Sequence, residues 1–213
     1  MIDDLINKST LEPYRMFTSR AEHRLILRQD NADRRLIKYG YELGLISKEE
    51  YEEFQKKEKL IVEGIDLFSS TRLSGKDINP VLEKFGSSKI EKSETIATLC
   101  KRPHVCLKDI LEPVDKKEYY VVEEILNNNK VLEEIEIEIK YDGYIKRELD
   151  MIEKMKRLDA LNIPDKFDYS KVKGLSVEAR EKLKKIVPKT LGQISRISGI
   201  TPADVSVIMV YLR

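Results

Sequence analysis

The end of the chain carries three helix starts in close succession. Ser176, Thr190 and Thr201 each precede a run with apolar residues at helical spacing, and a hydroxyl at that position accepts a hydrogen bond from a free backbone N–H. Pro202 and Asp204 follow Thr201 at the first and third helical positions, which is typical of a helix N-terminus. The sequence therefore predicts a small three-helix module, placed behind the proline-containing linker "NIPDKFDYSKVKG".

Composition favours helices in the rest of the chain as well. Charged residues make up 36% and aromatic residues 7% of the 213 residues, which suits long amphipathic helices better than a β-sandwich or barrel. Asp30, with Asp33 three residues on, starts a predicted helix that ends at Gly44. Ser47 and Glu50 form a capping box before a long, lysine-rich helix. We predict an all-α fold in which a multi-helix region precedes the three-helix module.

The helical pattern weakens after the lysine-rich run, which we expect to end near Leu67. The segment "SSTRLSGKDINP" is a predicted loop, since glycine, proline and small polar residues dominate it. Shorter helical pieces are predicted at residues 80–85 and 94–101, and Pro103 ends the second of them.

The segment "LEEIEIEIKY" allows two structures. Ile135, Ile137 and Ile139 alternate with charged residues, which is the period of a half-buried strand. Leu132, Ile135 and Ile139 also follow helical spacing, and the helical pattern continues to Leu158. A helix through the segment would include Gly143, at a cost of about 1 kcal/mol relative to alanine. Both structures stay open from periodicity alone.

Six arginines lie within "EPYRMFTSRAEHRLILRQDNADRRL". Arg20, Arg24 and Arg28 would line one face of a helix, and guanidinium groups bind phosphates bidentately at any working pH. Such a row could hold a nucleic acid strand in register. The acidic residues of the same segment could instead neutralise the arginines in ion pairs: Glu12, Glu22, Asp30 and Asp33.

Charge is distributed unevenly along a chain whose net charge is +1. Residues 118–138 contain seven acidic residues and one basic residue, whereas residues 171–213 contain nine basic and three acidic residues. A basic terminal module permits contact with a polyanion or with an acidic protein surface. The chain has no apolar run of membrane-spanning length and no signal-peptide pattern, so we expect a cytoplasmic protein without a membrane anchor.

Cys100, His104 and Cys106 form a C-x3-H-x-C cluster. Structural zinc takes four ligands, and the sequence offers no further cysteine and only His23 as another histidine. We therefore expect no metal site and no catalytic residue here, since neither thiol has an activating partner beyond His104. A buried structural thiol is the favoured interpretation.

The terminal segment "TLGQISRISGITPADV" is similar to a helix-turn-helix. The helix that would enter a major groove begins with Ala203, Asp204, Val205, Ser206 and Val207. Arginine, lysine, asparagine and glutamine, which read base edges, are missing from that stretch. A module that docks a protein, or that is purely structural, fits the side chains better.

Three segments together resemble a known family. "EPYRMFTSRAEHRLILRQDNADRRL", "YDGYIKRELDMIE" and "FDYSKVKGLSVEAREKL…PKTLGQISRISGITPADV" are similar to the C-terminal part of the MnmG family, also called glucose-inhibited division protein A. The resemblance spans essentially the whole chain in the family's order. Two departures are Ser9, where the family usually has glycine, and His23, where it usually has tyrosine.

This resemblance implies an enzyme that, with a GTPase of the MnmE family, installs aminomethyl or carboxymethylaminomethyl groups at carbon 5 of the tRNA wobble uridine. The family uses FAD, NADH as reductant and a folate one-carbon donor, and the parent protein is expected to be a homodimer. The chain has no glycine-rich nucleotide-binding motif. We therefore expect FAD to bind a preceding domain of the parent protein and this part alone to be colourless and inactive.

The resemblance also implies a division into parts and two sets of binding residues. Residues 1–30 would end the flavin domain, 31–167 would form a helical domain, and 168–213 would be the docking module for the GTPase. It favours a helix for "LEEIEIEIKY". It also favours phosphate binding over ion pairing as the role of the arginines. The expected tRNA-binding residues are Arg20, Arg24, Arg28, Arg34 and Arg35, and the expected partner-binding residues are Glu178, Arg180, Gly192, Gln193, Ser195 and Arg196. A helix-turn-helix DNA-binding regulator and a purely structural helical adaptor remain as alternative functions.

Overall fold

The computed structural model describes residue 17 and residues 21–114 and 120–212. These residues belong to two compact units, one ending at Ile145 and a terminal unit that begins at Lys146. Each unit has its own buried apolar cluster. The division into 1–30, 31–167 and 168–213 stays a prediction about functional parts.

The first two helices are α1 (Ala32–Glu42) and α2 (Lys48–Ser70). The Ser47 hydroxyl accepts from the Glu50 backbone N–H while the Glu50 carboxylate accepts from Ser47, so the predicted capping box is confirmed. The predicted cap at Asp30 is wrong, because Asn31 is the N-cap of α1 and makes no capping hydrogen bond. Its side chain instead contacts the preceding turn, where its amide donates to the Ile26 carbonyl at 3.0 Å.

A short irregular region follows α2. It contains helices α3 (Gly75–Lys84), α4 (Ile96–Cys100) and α5 (Leu107–Leu111), and strands β1 (Arg72–Leu73) and β2 (Glu94–Thr95). The two strands are antiparallel, with Arg72 opposite Thr95. The predicted loop over "SSTRLSGKDINP" is therefore wrong, since β1 and the start of α3 lie within it. Pairing with β2, more than twenty residues away, is invisible to local sequence rules.

Helix α6 (Tyr120–Asn127) precedes the long helix α7 (Asn129–Asp159). Helix is confirmed for "LEEIEIEIKY", because Leu132, Ile135 and Ile139 are buried along one helical face. Gly143 lies in the helix interior, and a methyl group there would contact nothing within 4 Å. Gly64 has the opposite role, since a Cβ on it would lie 2.7 Å from side-chain carbons of Ile125 and Ile135.

The core of the first unit joins α2 to α7 through side chains that are almost fully buried. Its largest members are Phe68, Ile61, Ile78, Leu82, Ile96, Leu99, Leu107, Ile110, Leu111, Ile125 and Ile135. Fully burying a side chain of this size stabilises a fold by about 1.5–3 kcal/mol. The all-α prediction is confirmed for the described residues, apart from the two short strands.

The terminal unit contains the end of α7, a 3₁₀ turn (Tyr169–Lys171) and helices α8 (Val177–Ile186), α9 (Leu191–Ser195) and α10 (Pro202–Tyr211). The predicted caps are confirmed: the hydroxyls of Ser176, Thr190 and Thr201 accept from backbone N–H groups of α8, α9 and α10. Leu183, Leu191, Ile194 and Ile208 are fully buried between these helices. Among the described helices, none has the length and apolar character that crossing a bilayer requires.

Candidate functional site

The arginine-rich segment is not helical where the predicted row of arginines would need it to be. Residues 22–26 form turns, and His23 has a left-handed backbone with φ of 57°. Arg24 is exposed, whereas Arg28 keeps only 14% of its side chain accessible. Arg20 lies outside the described residues. The structure therefore separates Arg24 from Arg28 instead of aligning them along a helix.

Arg28 and Arg34 converge on α7. The Arg28 Nη2 atom lies 3.0 Å from Glu134 Oε1, and Arg34 Nη1 lies 3.4 Å from the same oxygen. Both guanidinium groups also pair with Glu138, at 3.5 and 3.3 Å. Arg34 donates two further hydrogen bonds to Glu58 on α2, at 2.6 and 2.8 Å. We call this set, Arg28, Arg34, Glu58, Glu134 and Glu138, the arginine–glutamate network.

Burial makes this network structurally important. The Glu134 side chain is 3% exposed, and burial together with the neighbouring Asp30 carboxyl raises the pKa of Glu134. The hydrogen bonds that Arg34 donates to the Glu58 carboxylate raise the pKa of Arg34, which keeps its charge. A buried carboxylate that lost its cationic partners would be strongly destabilising. The network therefore fixes the segment before α1 onto α2 and α7.

Arg35 has local partners. Its Nε donates to Asn31 Oδ1 at 3.1 Å and its Nη2 donates to the Arg28 carbonyl at 3.2 Å. Nearby, Lys57 pairs with Asp33 at 2.6 Å. Among the expected tRNA-binding arginines that the structure describes, Arg24 is the one whose side chain is exposed.

The expected docking residues fall into two groups of the terminal unit. The first surrounds Glu178, whose side chain is 69% exposed and pairs with Lys182 at 2.6 Å. Lys182 also donates to the Ser198 carbonyl at 2.7 Å. Gly199 lies against this pair, since a Cβ on it would be 2.9 Å from Glu178 Oε1. The start of α8 and the turn before α10 thus form one polar surface.

The second group surrounds Asp159, the last residue of α7. Arg196 Nη1 donates to both Asp159 carboxylate oxygens, at 3.0 and 3.2 Å. Gly192 is buried against the same residue, and a Cβ there would overlap the Asp159 carboxylate and lie 3.0 Å from the Asp159 backbone nitrogen. This close approach favours glycine at position 192. Sequence reasoning missed Asp159, because nothing in its local pattern distinguishes it from the other charged residues of α7.

The remaining expected docking residues have local contacts. Gln193 Oε1 accepts from the Lys189 backbone N–H at 2.6 Å, and the Ser195 hydroxyl donates to the Gly192 carbonyl at 2.7 Å. Arg180 is half-buried and donates to the carbonyls of Val172 and Leu175, both at 3.5 Å. Gln193 and Ser195 are nevertheless exposed and can contact a partner without losing these bonds.

The other motifs carry less chemistry. The exposed positions of α10 are Pro202, Ala203, Ser206, Val210 and Tyr211, none of which carries a charge or an amide group to read base edges. Cys100 is buried and Cys106 is exposed. Within residues 21–114 and 120–212, no group of three or more His, Cys, Asp or Glu side chains is arranged to hold a metal ion.

Geometry and charge thus define a helical region with exposed polar groups near the start of α1 and on the terminal unit. Comparison with known families is more specific. A family model described as "tRNA modifying enzyme MnmG/GidA C-terminal helical domain" matches residues 48–149, and one described as "tRNA modifying enzyme MnmG/GidA C-terminal helical bundle" matches residues 151–213. The chain belongs to the MnmG/GidA family, and it corresponds to the C-terminal part of the proteins of that family.

Individual relatives agree with this assignment. The tRNA uridine 5-carboxymethylaminomethyl modification enzymes MnmG of Caldicellulosiruptor saccharolyticus and Lachnoclostridium phytofermentans are 47% and 45% identical to the chain over 213 residues. Each alignment includes all of this chain but only 33% of the relative. The chain therefore spans about a third of the length of these relatives. A crystal structure of Aquifex aeolicus GidA has a TM-score of 0.64 and 43% identity, covering 99% of this chain and 32% of that one.

The described residues do not fit an FAD site. A dinucleotide fold binds its pyrophosphate at a glycine-rich turn between a parallel strand and a helix. Here the two described strands have two residues each and are antiparallel. Gly75, after β1, is in close contact with the backbone of the same chain, because the Ile90 carbonyl oxygen lies 2.7 Å from where its Cβ would be.

Proposed function

We propose that this chain is the non-catalytic C-terminal portion of a cytoplasmic, FAD-dependent enzyme that modifies carbon 5 of the tRNA wobble uridine. It would contact tRNA and dock a GTPase of the MnmE family. Similarity to MnmG relatives over the whole of this chain supports the proposal, since the names of those relatives specify a tRNA uridine modification. FAD, the NADH reductant and the dimer interface would belong to the parent protein.

For tRNA we propose a phosphate-contacting surface in the arginine-rich segment, with Arg24 foremost among the described residues. Its exposure supports this role, since a guanidinium in water can exchange its hydration for a phosphate. Arg28, Arg34 and Arg35 would position the segment through their own hydrogen bonds. Arg20 joins the proposal from sequence alone.

The salt dependence of tRNA binding tests this surface. Each phosphate contact removed should lower the slope of log affinity against log salt concentration by about 0.7–0.9. We expect Arg20→Gln with Arg24→Gln to weaken binding of labelled tRNA and flatten this slope without lowering the melting temperature. Arg34→Gln is the control, since it should mainly lower the melting temperature. Unchanged tRNA binding in the double variant would refute the surface, and equally tight binding of duplex DNA would favour the DNA-binding alternative.

For the GTPase we propose docking on the terminal unit, with Glu178 at the centre. Its exposed carboxylate lies in the first turn of α8, where the helix dipole favours negative charge. Gln193 and Ser195 present exposed polar groups, whereas Arg180, Gly192 and Arg196 support the surface through the packing described above.

A matched pair of charge reversals tests this docking surface. Glu178→Lys removes an i,i+4 ion pair with Lys182. The control variant Glu153→Lys removes an i,i+4 ion pair with Arg157, and both substitutions change the net charge by the same amount. In a pull-down with an MnmE-family GTPase, we expect Glu178→Lys to abolish the complex and Glu153→Lys to retain it. Full binding by Glu178→Lys would place the docking surface elsewhere. Failure of the unaltered chain to bind would favour the structural adaptor.

A further inference from the structure

A cleft with apolar and charged lining residues lies at the C-terminal end of α8, away from the Glu178 end of that helix. Its volume is about 240 Å³. Ile163, Phe167 and Leu183 contribute apolar side chains, of which Leu183 is fully buried and Phe167 is partly accessible. Val187 and Pro188 also line the cleft. A ligand there would therefore meet apolar side chains and charged groups together.

Val187 adopts an unusual conformation at this cleft. It caps α8 with φ of 51° and ψ of 59°, a left-handed backbone that glycine adopts freely and a β-branched residue adopts at a steric cost. The following Pro188 restricts it further, since the residue before proline favours extended backbone. Yet the Val187 side chain is 62% exposed, so burial in the core does not offset the cost. Backbone strain at an exposed apolar residue is typical of a binding surface.

Lysines outnumber carboxylates around the cleft. Lys184 and Lys189 line it, and the exposed Lys166 follows the lining residue Asp165 in the chain. Asp165 is the one carboxylate among the described lining residues, and the Asp168 carboxylate interacts electrostatically with Lys184. Apolar side chains with lysines beside them complement a ligand that combines an apolar side chain with carboxylates.

We propose that this cleft binds a short acidic segment of a protein partner, which places an apolar side chain against Val187 and Phe167. A protein segment fits better than single-stranded RNA, which binds by stacking bases on free aromatic faces. Here Tyr169 is only 6% exposed and forms a T-shaped pair with Phe167, with ring centres 5.0 Å apart, so the partly accessible Phe167 is the one aromatic side chain among the described lining residues that a base could reach. The proposal goes beyond the proposed function and does not require that the partner be the GTPase.

Selection from a displayed library of random peptides, with the full chain as bait, tests the cleft. We expect enriched peptides to combine Asp or Glu with an aromatic or large aliphatic residue. Lys184→Glu with Lys189→Glu should weaken an enriched peptide's binding about fivefold or more. Val187→Gly should weaken binding similarly while leaving the melting temperature unchanged or higher, because glycine relieves the strain. Circular dichroism would verify that both variants are folded.

Three outcomes would overturn the proposal. The first is that no acidic apolar peptide is enriched, or that enriched peptides bind both variants as tightly as the unaltered chain. The second is that Val187→Gly binds the peptide normally, since the strained valine would then have no role in recognition. The third is that tRNA, but no peptide, loses affinity in the lysine variant, which would make the cleft part of an RNA surface. Pull-down of the GTPase by the same variants reports separately on the Glu178 surface.

Discussion

At the scale of single residues, the two cysteines differ in environment. Burial raises the pKa of the Cys100 thiol from 9.0 to about 12, whereas Cys106 is exposed. Since the thiolate is the reactive species, Cys100 should resist thiol reagents in the folded chain. We expect Ellman's reagent at pH 8 to titrate one thiol in the native protein and two in denaturant. Cys106→Ser should abolish the native reaction, and rapid native labelling of that variant would contradict the burial of Cys100.

The same residue affects alkaline stability. Native Cys100 keeps its proton while the unfolded chain begins to lose it near pH 9, so the unfolding free energy should fall as pH rises from about 9 towards 12. Cys100→Ala should reduce this part of the alkaline loss in urea unfolding curves. An unchanged pH profile in that variant would show that other groups dominate.

Arg34 should stabilise the fold through the arginine–glutamate network. Arg34→Gln leaves the buried Glu134 and the Glu58 carboxylate without one of their cations, so we expect a loss of about 2–3 kcal/mol in the unfolding free energy. Lys59 is a suitable control, because it pairs with Glu63 at the surface and its side chain is 76% exposed. Urea unfolding should show less than about 0.5 kcal/mol for Lys59→Gln. Equal losses for the two variants would contradict the structural role of the network.

At the scale of helices, the capping box at the start of α10 should stabilise the terminal unit. The Thr201 hydroxyl accepts from the Asp204 backbone N–H at 3.2 Å, and Asp204 Oδ2 accepts from the Thr201 backbone N–H at 2.9 Å. Thr201→Ala should lower the unfolding free energy of the terminal unit by about 0.5–2 kcal/mol. Ser206→Ala, within the same helix and exposed, should change it by less than about 0.5 kcal/mol. Thermal unfolding followed by circular dichroism would measure both.

This cap also predicts a dependence on acid. Hydrogen bonds from Thr201 hold the pKa of Asp204 below its usual value of 3.8. Because the folded-state pKa is the lower one, the stabilisation is complete above pH 3.8 and is lost as pH falls through the folded value. Asp204→Asn should remove this part of the acid sensitivity. An acid profile identical to that of the unaltered chain would argue against the hydrogen bonds.

At the scale of the whole molecule, the two apolar clusters should respond separately to mutation. Leu183 is fully buried in the terminal cluster, so Leu183→Ala should cost about 2–5 kcal/mol there. We expect faster hydrogen exchange in residues 146–212 and unchanged exchange in the first unit. Ile61→Ala, in the other cluster, should give the reverse pattern. Equal acceleration throughout the chain by either variant would mean that the units unfold as one.

The sequence by itself determined four helix starts and the family. Capping by Ser47, Ser176, Thr190 and Thr201 depends on hydrogen bonds that span only three residues, so each was visible in the local pattern. The all-helical character also followed from composition, and the quoted motifs were sufficient to identify the MnmG family. Tertiary structure was needed wherever the relevant partner is distant in the chain.

In three such cases the local pattern of residues was insufficient and tertiary structure gave the answer. "LEEIEIEIKY" is helical because one helical face of isoleucines is buried against other helices, whereas its alternating pattern equally fits a strand. The sequence could not show which arginines are exposed to solvent and which form ion pairs, since Glu134 lies about a hundred residues from Arg34. The packing role of Gly192 likewise could not be seen in the sequence, because the structure is needed to show that Asp159 lies against its backbone. Local hydrogen bonds are encoded within a helical turn, but burial and charge pairing depend on which distant segments the fold brings together.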